Sequence, residues 1–262
     1  MSEISTIFHV YGHDADAVER ALTDIFASED RACVLRLEGT FSAVLARVAD
    51  PDLDAAYRYL ILRPHDTSRW TPVFELGNRT EGLDVELSRI LDGAPVFTVF
   101  EYGETVSGYQ LARGGALVDR YLSDPTWLED DEEGVGARTG AGATPESPPD
   151  LETLRGHPER FADLLPPDTA PNDFARVVLT PGWWEDYVAS TGEETDEETD
   201  GETGGEASRE TTTEDEMVDE RDRMRCIALA LELWSPIEYP LTQDTQDIPN
   251  KEVGPGIVLA FI

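Results

Sequence analysis

The stretch from Gly192 to Asp222 holds 15 carboxylates against two arginines, and Met217 and Val218 are its only large apolar side chains. Burying so little apolar surface cannot offset the entropy lost on ordering the chain, so the stretch reads as disordered and must lie outside any core. Glu129 to Glu133 is a run of five consecutive acids, followed by a Gly/Ala/Thr/Pro-rich stretch to Pro149, and it reads the same way. The parts that can fold are thereby delimited. Residues 1–128 are expected to form an α+β domain and 129–149 a flexible linker, with 150–262 a C-terminal α+β segment interrupted by an acidic loop at 192–222. Because apolar chain resumes on both sides, at Val188 and Cys226, that loop is read as an insertion and not as a domain boundary. With 262 residues, 40% of them apolar, the remainder can still bury a sizeable core.

The acidity is not confined to these segments. The formal net charge is −35, from 55 acids and 20 bases, and Lys251 is the only lysine. Residues 1–128 alone carry −10 and residues 129–262 carry −25. In composition the chain resembles the acid-rich, lysine-poor proteins of salt-accumulating archaea, which implies a cytoplasmic protein whose self-repulsion is screened by molar salt. The same charge excludes nucleic-acid binding by phosphate neutralisation. No uncharged apolar run approaches the roughly 20 residues needed to span a bilayer, and Met1 to Val10 lacks a basic n-region, so neither membrane insertion nor a secretory signal is expected. Cys33 and Cys226 are too few and too far apart for a disulfide scaffold or a cysteine zinc site.

Periodicity supplies the elements. Ile4 to Tyr11 reads as a strand; Asp14 then caps a helix carrying Val18, Ala21, Leu22 and Ile25 on one face. Ala32–Leu37, Phe41–Val48 and Tyr57–Leu62 read as three strands. The order begins again with a strand at Trp70–Leu76. Thr80 is placed as the cap of a helix carrying Leu83, Leu87, Ile90 and Leu91, with Gly93 at its end. Strands at Val96–Tyr102, Thr105–Leu111 and Ala116–Leu122 follow, joined at Gly103-Glu104 and Gly114-Gly115. Residues 4–62 and 70–122 thus share the order strand, helix, three strands. Short matches such as Arg58-Tyr59-Leu60 with Arg120-Tyr121-Leu122 support reading them as duplicated units. Further on, Leu151–Leu165 reads as a helix interrupted by Pro158, Phe174–Leu179 as a strand, Trp183–Val188 as a short helix, and Ile227–Leu233 as a strand. Gly256–Ile262 is apolar enough to require burial in a sheet. The fold expected is α+β, a mostly antiparallel sheet with helices on one face.

Chemistry-bearing residues are few. His9 and His13 lie about 13 Å apart on an extended strand, too far to share one metal ion, and His13-Asp14 better suits the turn and helix start. His65-Asp66 sits in a polar loop, where an aspartate can orient a histidine as general base if a hydroxyl such as Ser68 or Ser88 lies nearby. His157-Pro158 reads as a turn. Cys33 and Cys226, inside strand patterns, read as buried small hydrophobes. Gly114-Gly115 joins strand to strand, so no phosphate cradle is expected, and no cofactor or metal. Trp183, Trp184 and Tyr187 form the densest aromatic cluster. Adjacent helical residues diverge by about 100°, so both indoles cannot face one core stripe equally; core packing of both is the reading favoured, and one indole in the core with the other as a lid or interface anchor is the alternative. Since no catalytic constellation stands out, the function expected is a non-enzymatic cytosolic binding or interaction module with a protein partner. Two alternatives are a hydrolase-type enzyme with its site near His65 and Asp66, and an acidic, antitoxin-like sequestering protein using residues 192–222.

Overall fold

The computed structural model describes residues 4–48, 53–64, 68–76, 78, 80–102, 106–123, 154, 156–167, 169–178, 231 and 256–262. In chain order these form β1 (Ile4–Tyr11), α1 (Ala15–Ser28), β2 (Cys33–Gly39), α2 (Phe41–Val48), β3 (Tyr57–Leu62), β4 (Trp70–Glu75), α3 (Leu83–Ile90), β5 (Val96–Tyr102), β6 (Val106–Arg113), β7 (Ala116–Leu122), α4 (Pro171–Val178) and β8 (Gly256–Phe261). A 3-10 turn at Pro158–Phe161 precedes α4. All eight strands join one sheet, in the order β2-β8-β3-β4-β1-β5-β6-β7, and every neighbouring pair is antiparallel. The fold is therefore mixed α+β.

Side-chain alternation divides the strands between two faces. On the first face Phe8, Val10, Tyr59, Ile61, Val73, Ile257, Leu259 and Phe261 pack against α1 and α3 through Val18, Leu22, Phe26, Leu83 and Leu87. Phe26 stacks on Phe261 with ring centroids 4.3 Å apart. On the second face Ile7, Leu60, Leu62, Phe74 and Val258 pack against Phe41 and Val44 of α2. At the far end of that face, Phe97, Tyr109, Leu111 and Tyr121 pack against Phe161 of the 3-10 turn, Phe174 of α4 and Leu231.

The structure departs from expectation in four places. Helices cover both faces of the sheet, not one. Strands such as Trp70–Glu75 and Gly256–Phe261 are buried at every position, and a strand with two buried faces requires cover on both. Residues 41–48 form a helix, not a strand. Phe41, Val44, Leu45 and Val48 recur at helical spacing, and the Val44 N–H bonds the Thr40 carbonyl. The first half thus departs from strand, helix, three strands, whereas the second half, β4 to β7, follows it. Residues 171–178 are also helical. Pro171 occupies the first helical position, where its missing N–H costs nothing, and the Phe174 N–H bonds the Ala170 carbonyl. Of the interrupted helix expected over 151–165, the described residues show 3-10 conformation at Leu154 and at Pro158–Phe161, and residues 151–153 and 155 lie outside the described residues.

Local signals hold elsewhere. Asp14 caps α1, accepting the Ala17 N–H at 2.8 Å. Gly114 and Gly115, at φ 63° and 75°, form the tight β6–β7 turn. The α3 cap is Gly82, in the left-handed region at φ 66°, while Thr80 bonds the Tyr59 hydroxyl instead. Gly256–Phe261 is buried as expected and inserts between β2 and β3, whereas Ile262 is exposed. The strand expected at Ile227–Leu233 and the Gly103-Glu104 turn lie outside the described residues, apart from Leu231, which is buried in a turn.

Candidate functional site: the sheet edges

An antiparallel sheet exposes unpaired backbone donors and acceptors only at its two edges, and here the edges differ. The β7 edge is occupied by the chain itself. The Gly156 N–H bonds the Arg120 carbonyl at 3.0 Å, and Leu154 packs with Phe100, Val106 and Leu122. A buried aspartate completes the fastening. Asp119 faces inward in the Tyr121 row of β7, and its side chain is fully buried. Its Oδ2 accepts the Tyr109 hydroxyl and the His157 N–H, both at 3.0 Å, and its Oδ1 pairs with His157 Nδ1 at 2.8 Å. Burial, reinforced by the carboxylate, pushes the Tyr109 phenol well above its ordinary range, so it remains a donor.

A histidine held through Nδ1 by a buried carboxylate has the orientation of a general base. In this case the carboxylate also grips the His157 backbone and the Tyr109 hydroxyl, so the pair anchors the 156–165 segment to the sheet edge. Replacing Asp119 with alanine is expected to cost about 3 kcal/mol, because it strands buried donors, and thermal melts in high salt would show it. A melting temperature unchanged from the parent would refute the anchoring role. The sequence marks His157-Pro158 only as a turn and does not point to Asp119. The available signal is an aspartate two positions from both Leu117 and Tyr121 in the alternation of the strand.

The β2 edge is different. From Val34 to Gly39 its residues alternate between exposed and half-buried, Cys33 is also exposed, and Val34 retains 45% of its accessible surface. Ile262, 56% exposed, lies beside it, its N–H bonding the Ala32 carbonyl. Val34 and Ile262 are the two exposed large hydrophobics among the described residues. A bulge between Cys33 and Leu35 bends the start of the strand. On the face shared with α1, an ion-pair chain runs from Asp16 to Arg63 (3.1 Å), on to Glu38 (2.8 Å), then to Arg36 (3.7 Å), which also pairs with Glu19. The bond from Arg63 is the chief cause holding the Glu38 carboxyl below its ordinary range. Exposed pairs of this kind orient the edge more than they stabilise it.

The sequence candidates fall as follows. His65, Asp66, Trp183, Trp184, Tyr187 and Cys226 lie outside the described residues. Ser68 Oγ accepts the Trp70 N–H and Ser88 Oγ the Gly115 N–H, each at 3.2 Å, so both hydroxyls hold local backbone. Cys33, expected to be buried, is exposed because its strand ends the sheet, and strand patterning does not reveal a neighbour's absence. The His13 carbonyl accepts the Thr71 hydroxyl, in keeping with a turn role. Among the described residues no group of three or more His, Cys, Asp or Glu could hold a metal ion, and no helix is long and apolar enough to cross a membrane.

His9 is fully buried on the second face, between its cross-strand neighbours Pro72 and Phe97. Desolvation pushes it from 6.5 down to about 3. Below pH 6.5 the unfolded chain takes up a proton that the folded chain refuses until about pH 3, so this residue withdraws stability as pH falls. Between pH 7 and pH 4 the loss amounts to about 3 kcal/mol. Denaturant unfolding of the parent and of His9→Gln should therefore converge or cross as pH drops. Curves that stay parallel would contradict the neutral buried state.

Compared with protein-family models, with curated proteins and with solved structures, the chain matches none.

Proposed function

We propose that this chain is a non-enzymatic protein-interaction module of a salt-rich cytoplasm, and that it offers the β2 edge for strand pairing. The supporting observation is the contrast between the edges: β7 is fastened under Leu154, Gly156 and His157, whereas β2 carries exposed Cys33 and Val34 with Ile262 alongside. Pairing at a sheet edge draws affinity from main-chain hydrogen bonds and specificity from alternate side chains. It requires no basic patch, and apolar contact persists in salt that screens charge, which suits a protein of net charge −35. Binding is favoured over a hydrolase reading because the one oriented histidine–carboxylate pair in the described part, His157–Asp119, is committed to anchoring the chain.

A photo-crosslinking side chain placed at Val34, with a second variant carrying it at exposed Ala116, tests the reading in extracts held near 2 M KCl. Protein adducts are expected at position 34 and not at 116. Adducts formed only through probes within residues 192–222 would favour the antitoxin-like alternative. Hydrolytic activity lost on substituting His65 or Asp66 would favour the enzyme. Either result, or no adduct at position 34, would overturn the edge reading.

A further inference from the structure

We infer that the strand received at this edge is the β2 of a second copy of the chain, paired antiparallel about a two-fold axis at Leu37, an inference that rests on the edge reading above. Register and charge together select this pairing. A two-fold axis normal to the sheet keeps both faces continuous from copy to copy, and it must centre on a residue of the strand. Centred on Arg36 it would set arginine against arginine, and centred on Glu38 it would set carboxylate against carboxylate, both unfavourable across a strand pair. Centred on Leu35 it would place Arg36 against the partner's Val34, inside the bulge.

Centred on Leu37, the axis places Arg36 opposite the partner's Glu38 and Glu38 opposite the partner's Arg36. The existing Asp16–Arg63–Glu38–Arg36–Glu19 chain then continues across the axis. On the other face Leu37 meets the partner's Leu37. Leu35 lies over the partner's Gly39, where the missing side chain leaves room, since a Cβ there would meet only Val44 and Ala43 of its own chain, at 3.7 and 3.8 Å. Two sheets of eight strands become one of sixteen, and the open edges are removed.

Seven residues of edge make a small interface, so association is concentration-dependent. Two copies of charge −35 repel, so association strengthens with salt, the reverse of a dimer held mainly by ion pairs.

The register is tested by disulfide trapping in the full-length chain carrying Cys33→Ser and Cys226→Ser. Directly opposed residues of an antiparallel pair have Cα atoms about 4.5–5.5 Å apart, within disulfide reach. Leu37→Cys should therefore give a disulfide-linked dimer under mild oxidation near 2 M KCl, and Ala116→Cys should not. Light scattering on the unsubstituted chain, which does not depend on the variants folding, should show the mass rising from 29.0 kDa towards twice that value with concentration, more steeply at higher salt. A chain monomeric at every concentration, or equal trapping through Ala116→Cys, overturns the inference. If that monomer still forms adducts with another protein at position 34, the interaction reading survives and only the identity of the occupant fails. If position 34 forms no adduct with any protein, both fail.

Discussion

Raising KCl from about 0.2 M to 2 M is expected to increase the melting temperature by about 10 °C, the shift produced by roughly 3–5 kcal/mol in a domain of this size. The cause is the excess of 35 carboxylates, which repel over about 10 Å in dilute salt but only over about 3 Å at 1 M. Salt also weakens exposed ion pairs such as Arg36–Glu19 and Arg113–Asp163, which pulls the other way. Among the described residues such pairs are few, and each competes with water and with side-chain entropy, so relief of repulsion dominates. Thermal melts across a KCl series would measure it. A melting temperature that stays flat or falls would remove the salt-adapted reading and, with it, the salt-rich cytoplasm proposed for the chain.

Deleting residues 192–222 and bridging the gap with a short Gly/Ser link is expected to change stability by about 1 kcal/mol or less, because loop-closure entropy varies only with the logarithm of loop length. A single change in β8 should do far more. Val258 is fully buried against Phe41, Val44, Leu60 and Phe74, and its strand is bonded to β2 on one side and β3 on the other. Val258→Asp would set a carboxylate into that cluster at a cost of about 4 kcal/mol or more, enough to detach β8 and split the sheet. For the same reason, protein nicked by protease within 192–222 should elute as one species, its C-terminal fragment retained through β8. Circular dichroism and denaturant unfolding in 2 M KCl distinguish these outcomes. An unfolded deletion variant, or a Val258→Asp variant as stable as its parent, would contradict the role given to the last strand.

Much of the fold was legible where the signal is local. Tyr57–Leu62, Val96–Tyr102 and Ala116–Leu122 begin and end where their apolar and turn residues indicate, and Asp14 caps α1. Reading failed where two periodicities compete. The β-branched and aromatic content of 41–48 suggests a strand, but the 3.6-residue spacing of Phe41, Val44, Leu45 and Val48 decides for helix. Tertiary placement was harder still. That Gly256–Phe261 enters a sheet follows from its apolarity, but its position between β2 and β3 depends on pairing with residues about 200 positions away, which no local pattern encodes. The same long-range choice leaves β2 as an edge, exposes Cys33 and creates the candidate surface. The anchoring of His157 by Asp119 was hidden similarly, its partners being 38 residues apart.

The central claim, that β8 closes one side of β2 and no described segment pairs with the other, is tested most directly by amide hydrogen exchange along Cys33–Gly39 in dilute protein at 2 M KCl. An antiparallel edge strand bonds alternate residues inward. The account predicts alternation, with amides bonded to β8 exchanging slowly and the intervening amides exchanging at rates near those of exposed chain. Uniformly slow exchange along β2 in dilute protein would mean that the edge is covered, uniformly fast exchange would mean that β8 does not pair there, and either result would contradict the account.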